Sequence, residues 1–413
     1  MNRIQNKSQQ LQTPTPLKTQ TVLLFMIATL AQSLNLHAAN FGDDLNFLRQ
    51  HTDAVVLHDK SSQVQVIVAP AWQGRVMTST ARGGQGDSFG WVNRELIASG
   101  KVQPHINVFG GEDRFWLGPE GGQFSIFFAK GVAFDLEHWF TPASLDTEPF
   151  KVVKQTAESV LCRREIQLAN YSGTQFQLEV NREVRLVSAK KAVAGVGGKL
   201  LAGVSVVAFE TVNTFKNTGK SAWTKDTGLL SIWILGMFNA STESTVVVPF
   251  EKGAEAKLGP IVNDTYFGKV PADRLVVKED VLFFRADAQL RSKIGLPPRR
   301  AKDVLGIYDA AYHTLTLVKF TLPKGATDYV NSMWKLQDAP FSGDVLNSYN
   351  DDGKLGKFYE LESSSPALAL KPGASATHRQ QTIHLQGSEK ELDAIAEAAL
   401  GVHLEDIRDA FKK

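Results

Sequence analysis

Residues 175–187 read QFQLEVNREVRLV. Phe176, Leu178, Val180, Val184 and Leu186 share one parity, with Arg182 interrupting, while Gln177, Glu179, Asn181, Glu183 and Arg185 share the other. Successive side chains of a strand point to opposite faces, so a period of two over this length predicts a half-buried antiparallel strand. The same period recurs in QVQVIVA at 63–69, in VSVVAFETVNTF at 204–215 and in TLTLVKFT at 314–321. Turn signals separate these runs: NYSG at 170–173, KNTG at 216–219 and KPGA at 371–374. Many strands joined in this way predict a mainly β chain, a large antiparallel β-sandwich. Helical spacing is confined to the ends. GDDLNFLRQ at 42–50 is a helix candidate. Ser388 and Glu391 form a capping box before Leu392, Ile395, Ala396, Ala399 and Leu400, and Gly401 is a fitting stop. Leu404, Ile407 and Phe411 suggest a second short helix. The expected layout is one β body over residues 40–387 and a short C-terminal helical tail over 388–413.

The first 39 residues read differently. Lys18 precedes TVLLFMIATLAQSLNL at 21–36, and Ala38 and Ala39 follow. A basic start, an apolar run and small residues form the pattern of a secretory signal peptide over residues 1–39. The run is broken by Gln32, Ser33 and Asn35, whereas a membrane span needs about 20 apolar residues. The expected location is periplasmic or secreted, with no membrane association beyond this segment. Net charge is +2 and the basic residues are scattered, which leaves no electrostatic footprint for nucleic acid. The single cysteine, Cys162, excludes an intramolecular disulfide and sits in strand-like SVLCRREIQL as a buried thiol.

Residues 108–122, VFGGEDRFWLGPEGG, combine turn-forming glycines with Glu112, Asp113, Arg114, Trp116 and Glu120. HINVF at 105–109 adds His105 and Asn107 just upstream. Two readings stand. Arg114 can pair with Glu112 or Glu120 and simply brace a loop, with Trp116 in the core. Alternatively the stretch is a saccharide site: an indole offers an apolar platform, and carboxylates with a guanidinium bond hydroxyls. The glycine spacing is not that of a phosphate cradle, and no cofactor is expected.

In FYELESSSPALALKPG at 358–373, Glu360 and Glu362 lie two apart in a strand-like run and share a face. Neighbouring carboxylates repel, so one can hold a raised pKa and act as acid or base; a solvent-facing strand edge is the alternative. NSYNDDG at 347–353 reads as a turn presenting Tyr349 and Asn350 to a ligand. Its spacing is not that of a calcium loop, and His105, His138 and His313 lack paired ligand spacing, so no metal site is expected. A serine-hydrolase elbow is also missing.

The order of these motifs resembles the galactose mutarotase-like, or aldose 1-epimerase-like, β-supersandwich proteins. GRVMTST at 74–80 is similar to the family's Gly-Arg-containing early strand, and NVFGGEDRFWLGPE at 107–120 to the segment that places an arginine in the sugar site. FKNTGKSAW at 215–223 and FYELESSSPALALKPG resemble an Asn-rich turn and the late strand bearing the catalytic glutamate. The resemblance implies a large antiparallel β-supersandwich, with Arg114 at the sugar and Glu362 or Glu360 as catalytic base. The family's Asn-His-x-Tyr-Phe-Asn segment is not found: SAWTKDTGLLSIWILG at 221–236 has no histidine.

The expected function is therefore carbohydrate binding, with glutamate-based acid/base chemistry of the epimerase kind on a mono- or oligosaccharide. In that scheme Glu362 or Glu360 takes a proton, His138 or His105 gives one, and Arg114 holds developing charge. Asn107, Glu112, Asp113, Glu120 and Asn350 bind hydroxyls and Trp116 stacks. The alternatives are a non-catalytic saccharide-binding or accessory protein, and a glycoside-cleaving enzyme using two carboxylates.

Overall fold

The computed structural model describes residues 40–412, so the signal-like segment and its localisation lie outside the described residues. Strand Gln175–Leu186 alternates between buried and more exposed positions along its length, as its sequence requires. It is one of ten antiparallel strands in a sheet whose spatial order runs 275–278, 281–285, 244–249, 304–309, 314–320, 375–386, 205–217, 175–186, 159–169 and 151–155. A second sheet has five strands in the order 292–296, 346–350, 358–364, 231–239 and 114–118. A third, three-stranded sheet is formed by 55–58, 65–69 and 75–80.

The two larger sheets bury one apolar layer between them. Phe115, Leu117, Ile232 and Ile234 of the smaller sheet meet Val180, Phe209 and Phe215 of the larger one. Leu346 and Leu361 meet Val246, Ile307 and Val318 in a neighbouring cluster. The opposite parity of the larger sheet carries Val206, Ala208, Leu315, Leu317, Ile383 and Leu385. Those side chains pack against Leu392, Ile395 and Leu400 of helix Glu389–Leu400 and Leu404 and Ile407 of helix Leu404–Arg408. Ser388 and Glu391 form the capping box, and Gly401, at φ 76°, ends the helix in the left-handed region. Helix Phe41–His51 starts at Asn40, whose side chain accepts from the Asp43 amide. The layers are thus helices, ten-stranded sheet, five-stranded sheet. The outer face of the five-stranded sheet is turned away from all of them.

Polar groups interrupt the inter-sheet layer, and three residues expected to meet a ligand, Glu112, Asp113 and Asn350, are among those turned inward. Arg182, the break in the opening pattern, is fully buried and donates to Asp113 Oδ1 at 2.5 Å. Asp113 Oδ2 accepts from Thr211 at 3.0 Å and from Gln380 at 3.3 Å. Glu112 Oε2 accepts from Ser79 at 2.9 Å and lies 2.9 Å from His384 Nε2. Both carboxylates are 0% exposed. They hold the sandwich together from inside instead of bonding a ligand, because a buried charge needs its partners where it is buried. Asn350 is corrected for the same reason. Its amide faces the core side of its strand, accepting from the Ala288 amide at 2.8 Å and donating to the Leu290 carbonyl at 2.9 Å. Cys162 is a free thiol buried in the main core, and burial pushes its pKa up to about 11.

Candidate functional site

The glycine-rich stretch is not a loop throughout. Gly110 and Gly111 take φ of 90° and 110°, where a side chain is strained, and the chain then enters strand Arg114–Gly118. Phe115 and Leu117 go to the core, so Arg114 and Trp116 point outward. Strand Phe358–Ser364 sends Leu361 inward and Glu360 and Glu362 outward by the same alternation. Cross-strand register brings these outward residues together. Leu235 stands opposite both Arg114 and Glu362, and Trp116 faces Trp233. Glu360 faces Tyr349, Glu362 faces Asn347, and Tyr349 in turn faces Lys293.

The charges on this face are paired. Arg114 Nη2 donates to Glu360 Oε1 at 3.0 Å. Lys293 Nζ donates to both oxygens of Glu362, at 2.8 and 2.9 Å, and Trp233 Nε1 donates to Oε2 at 2.9 Å. The Arg114 guanidinium lies 4.2 Å from the Trp116 ring centroid, and the Lys293 ammonium 5.1 Å from that of Trp233. Arg114 Nε and Nη1 are buried with no hydrogen-bond partner. Donors left in that state cost free energy unless something else bonds them. At one margin Tyr266 donates to Asp344 Oδ2, and Asn347 Nδ2 donates to the Tyr266 hydroxyl at 3.1 Å. At the other, the Glu120 side chain lies beside Trp334 and feels the charges of Lys293, Glu362 and Arg114.

Burial sets the protonation of these carboxyls. It pushes Glu360 up to about 7; Arg114 and Lys293 pull against it and Glu362 adds to it. It pushes Asp344 up to about 6 against the hydrogen bond from Tyr266, and it raises Glu120 as well. Glu360 is therefore poised to gain or lose a proton near neutral pH, which is what a general acid or base requires. Glu120, Tyr266, Trp334 and Asp344 are the partly exposed members of the group.

Of the residues singled out in the sequence, Arg114, Trp116, Glu120, Tyr349, Glu360 and Glu362 come to this face. Two of them take other parts than expected. Trp116 is 3% exposed and covered by Arg114, so it supports the guanidinium and is not an open platform. Tyr349 spends its hydroxyl on Asp351 Oδ2 at 2.8 Å. His138, Asn107, Glu112, Asp113 and Asn350 are held elsewhere. His138 Nδ1 lies 2.6 Å from Asp135 Oδ1 on an exposed loop. Asn107 Nδ2 donates to Asp146 at 2.8 Å. His105 Nδ1 lies 2.6 Å from the Trp139 carbonyl. Lys293, Tyr266, Trp334, Asp344 and Asn347 join the site without having been foreseen. Lys293 carried the one usable signal, a lone cation inside the five-residue strand SKIGL. Among the described residues, no group of three or more His, Cys, Asp or Glu side chains is placed to hold a metal ion.

Residues 39–411 match the model of a family of unknown function (DUF6786), and the chain belongs to that family. No curated protein matches it in sequence. Among solved structures, it is similar to the Slr1438 protein of Synechocystis sp. PCC 6803, at 12% identity and TM-score 0.49, over 82% of this chain and 96% of that one. A galactose mutarotase-like protein from Lactobacillus casei ATCC 334 is similar at 10% identity and TM-score 0.47, over 81% of this chain and 100% of that one. A galactose mutarotase related enzyme from Lactobacillus acidophilus is similar at 10% identity and TM-score 0.44, over 81% and 97%. At such identities the likeness concerns the fold alone.

Proposed function

We propose that the outer face of the five-stranded sheet binds a saccharide and that Glu360 performs acid/base chemistry on it. The observation that carries this reading is the Arg114–Glu360 pair beside Glu362, Lys293 and the indoles of Trp116 and Trp233. Glu362 is fixed by three donor contacts, which suits a positioning group, while Glu360 has a single ion-pair contact and a pKa about 7, which suits proton transfer. In the proposed step Glu360 removes a hydroxyl proton. The two unpartnered N–H groups of Arg114 stabilise the negative charge that develops on sugar oxygen. On the same proposal the activity lies in the periplasm or outside the cell, a reading supported by the signal-like sequence of residues 1–39.

A second reading, binding without turnover, is favoured by one observation: His138 and His105 bond elsewhere, so neither stands beside Glu360 as proton donor. Following anomeric exchange of aldoses by NMR separates the two. Catalysis predicts exchange faster than buffer, reduced by about 10²–10⁴ in Glu360→Gln. Saturable binding with exchange at the buffer rate leaves the second reading. Neither binding nor exchange removes both.

A further inference from the structure

We infer that the ligand of this face carries an ammonium group, making it an amino sugar in preference to a neutral or acidic one. The inference rests on the saccharide reading above and adds the sign of the ligand's charge.

Its basis is the inventory of charges. Arg114 is matched by Glu360 at 3.0 Å and Lys293 by Glu362 at 2.8 Å. Asp351 takes the Tyr349 hydroxyl, and the charge of Arg291 reaches the same tyrosine, so these two offset one another. Two further carboxyls stand at the margins, and the groups beside them are neutral. Glu120 has the Trp334 side chain beside it. Asp344 has the Tyr266 hydroxyl and the Asn263 amide, the latter at 3.3 Å. A low-dielectric site with more carboxyls than cations must take up protons or admit a cation. Burial raises Asp344 to about 6 and Glu120 in the same direction, the pull of the first course, but at pH 7 the Asp344 carboxylate is still ionised and lacks a matching cation. A ligand ammonium provides the second.

The aromatic groups agree with this assignment. The faces of Trp116 and Trp233 are already engaged by Arg114 and Lys293. Trp334 is partly exposed, lies beside Glu120, and stacks on Trp139 at 5.8 Å between centroids. A carboxylate next to an indole attracts an ammonium by charge and by the ring quadrupole together. Arg114 is only 3% exposed, and its unpartnered Nε and Nη1 need oxygen acceptors that the protein does not supply. Hydroxyl or ring oxygens meet that need. A phosphate or uronate would also meet it, but would set its charge in the field of Glu120 and Asp344, and like charges brought together weaken binding strongly. One ligand must therefore present neutral oxygens at Arg114 and a positive group at Glu120.

The test uses the full chain at pH 7 and two matched trios: glucose, glucosamine and glucuronate, then galactose, galactosamine and galacturonate, titrated by NMR or calorimetry. In at least one trio the amine is expected to bind about tenfold or more tighter than its neutral parent, with the acid weakest. Glu120→Gln, shown to be folded by its thermal transition, is expected to abolish most of that advantage. Equal binding of amine and parent, or tightest binding of the acid, overturns the charge inference and leaves the saccharide reading standing. An undiminished amine advantage in Glu120→Gln overturns the role given to Glu120. No binding by any of the six overturns both inferences. The ligand series on the unaltered chain decides the sign of the charge without relying on a variant.

Discussion

Arg114 Nη2 and Glu360 Oε1 meet at 3.0 Å although 246 residues of chain separate them. Both side chains are nearly closed from solvent, 4% and 8% exposed. Such a pair is expensive to halve, because removing one partner leaves a buried charge. Arg114→Met is expected to cost about 3–5 kcal/mol of stability at pH 8 by urea denaturation, and clearly less at pH 5, where Glu360 is protonated. An equal cost at both pH values would mean that Glu360 is not the group left stranded.

Stability should itself depend on the protonation of Glu360. Burial raises its pKa from 4.5 to about 7, so the folded chain holds this proton more tightly than the unfolded one. The associated stability is present below pH 4.5 and is lost as pH rises towards 7, a change of about 3 kcal/mol. His378 works in the opposite sense. Burial lowers its pKa from 6.5 to about 3, so its share of stability is present above pH 6.5 and lost as pH falls. The two overlap, and the unaltered chain alone does not separate them. Comparison with Glu360→Gln does: the variant should gain on the parent steadily between pH 4.5 and 7, and parallel curves would contradict the assignment.

Lys293 offers a second contrast. It is the ion-pair partner of the fully buried Glu362. Lys293→Met is expected to cost about 3–5 kcal/mol. Lys225, paired with Asp328 where both are about half exposed, should cost about 0–1 kcal/mol when changed to Met. Denaturant midpoints of the two variants give the comparison directly.

The residues that the fold turns inward should affect stability and not the ligand. Asp113→Asn disturbs the contact with Arg182, and Asn350→Ala removes two backbone contacts. Both should lower the melting temperature. Ligand affinity of the folded fraction should stay within about twofold, less than the effect of one net hydrogen bond. A large loss of affinity at unchanged stability would return these residues to the site.

The strands were legible because alternation is a local property: QFQLEVNREVRL needs only its own pattern to declare two faces. The same rule placed Glu360 and Glu362 together on one side. What alternation does not supply is which face meets the other sheet. Arg182 sat at a core parity, and its inward partner Asp113 lies in the stretch that read as a ligand loop. Glu112 and Asp113 are therefore adjacent in sequence to Arg114 yet belong to the interior. Tyr266 and Asp344 reach the site from segments outside the strands, through pairing that no sequence spacing encodes. His138 had the right chemistry but bonds three residues away, to Asp135.

On the proposed function a saccharide occupies the face holding Arg114, Glu360, Glu362 and Lys293. The indole N–H resonances report on it, because Trp233 donates its N–H to Glu362 and Trp334 lies beside Glu120. Their assigned signals should be followed in a ¹H–¹⁵N spectrum as glucosamine or galactosamine is added. Saturable shifts of Trp233 and Trp334 are expected, with little change at Trp223, which packs against Phe176 and Phe215 of the ten-stranded sheet. Saturable binding that moves other indoles and leaves Trp233 and Trp334 in place would contradict that placement.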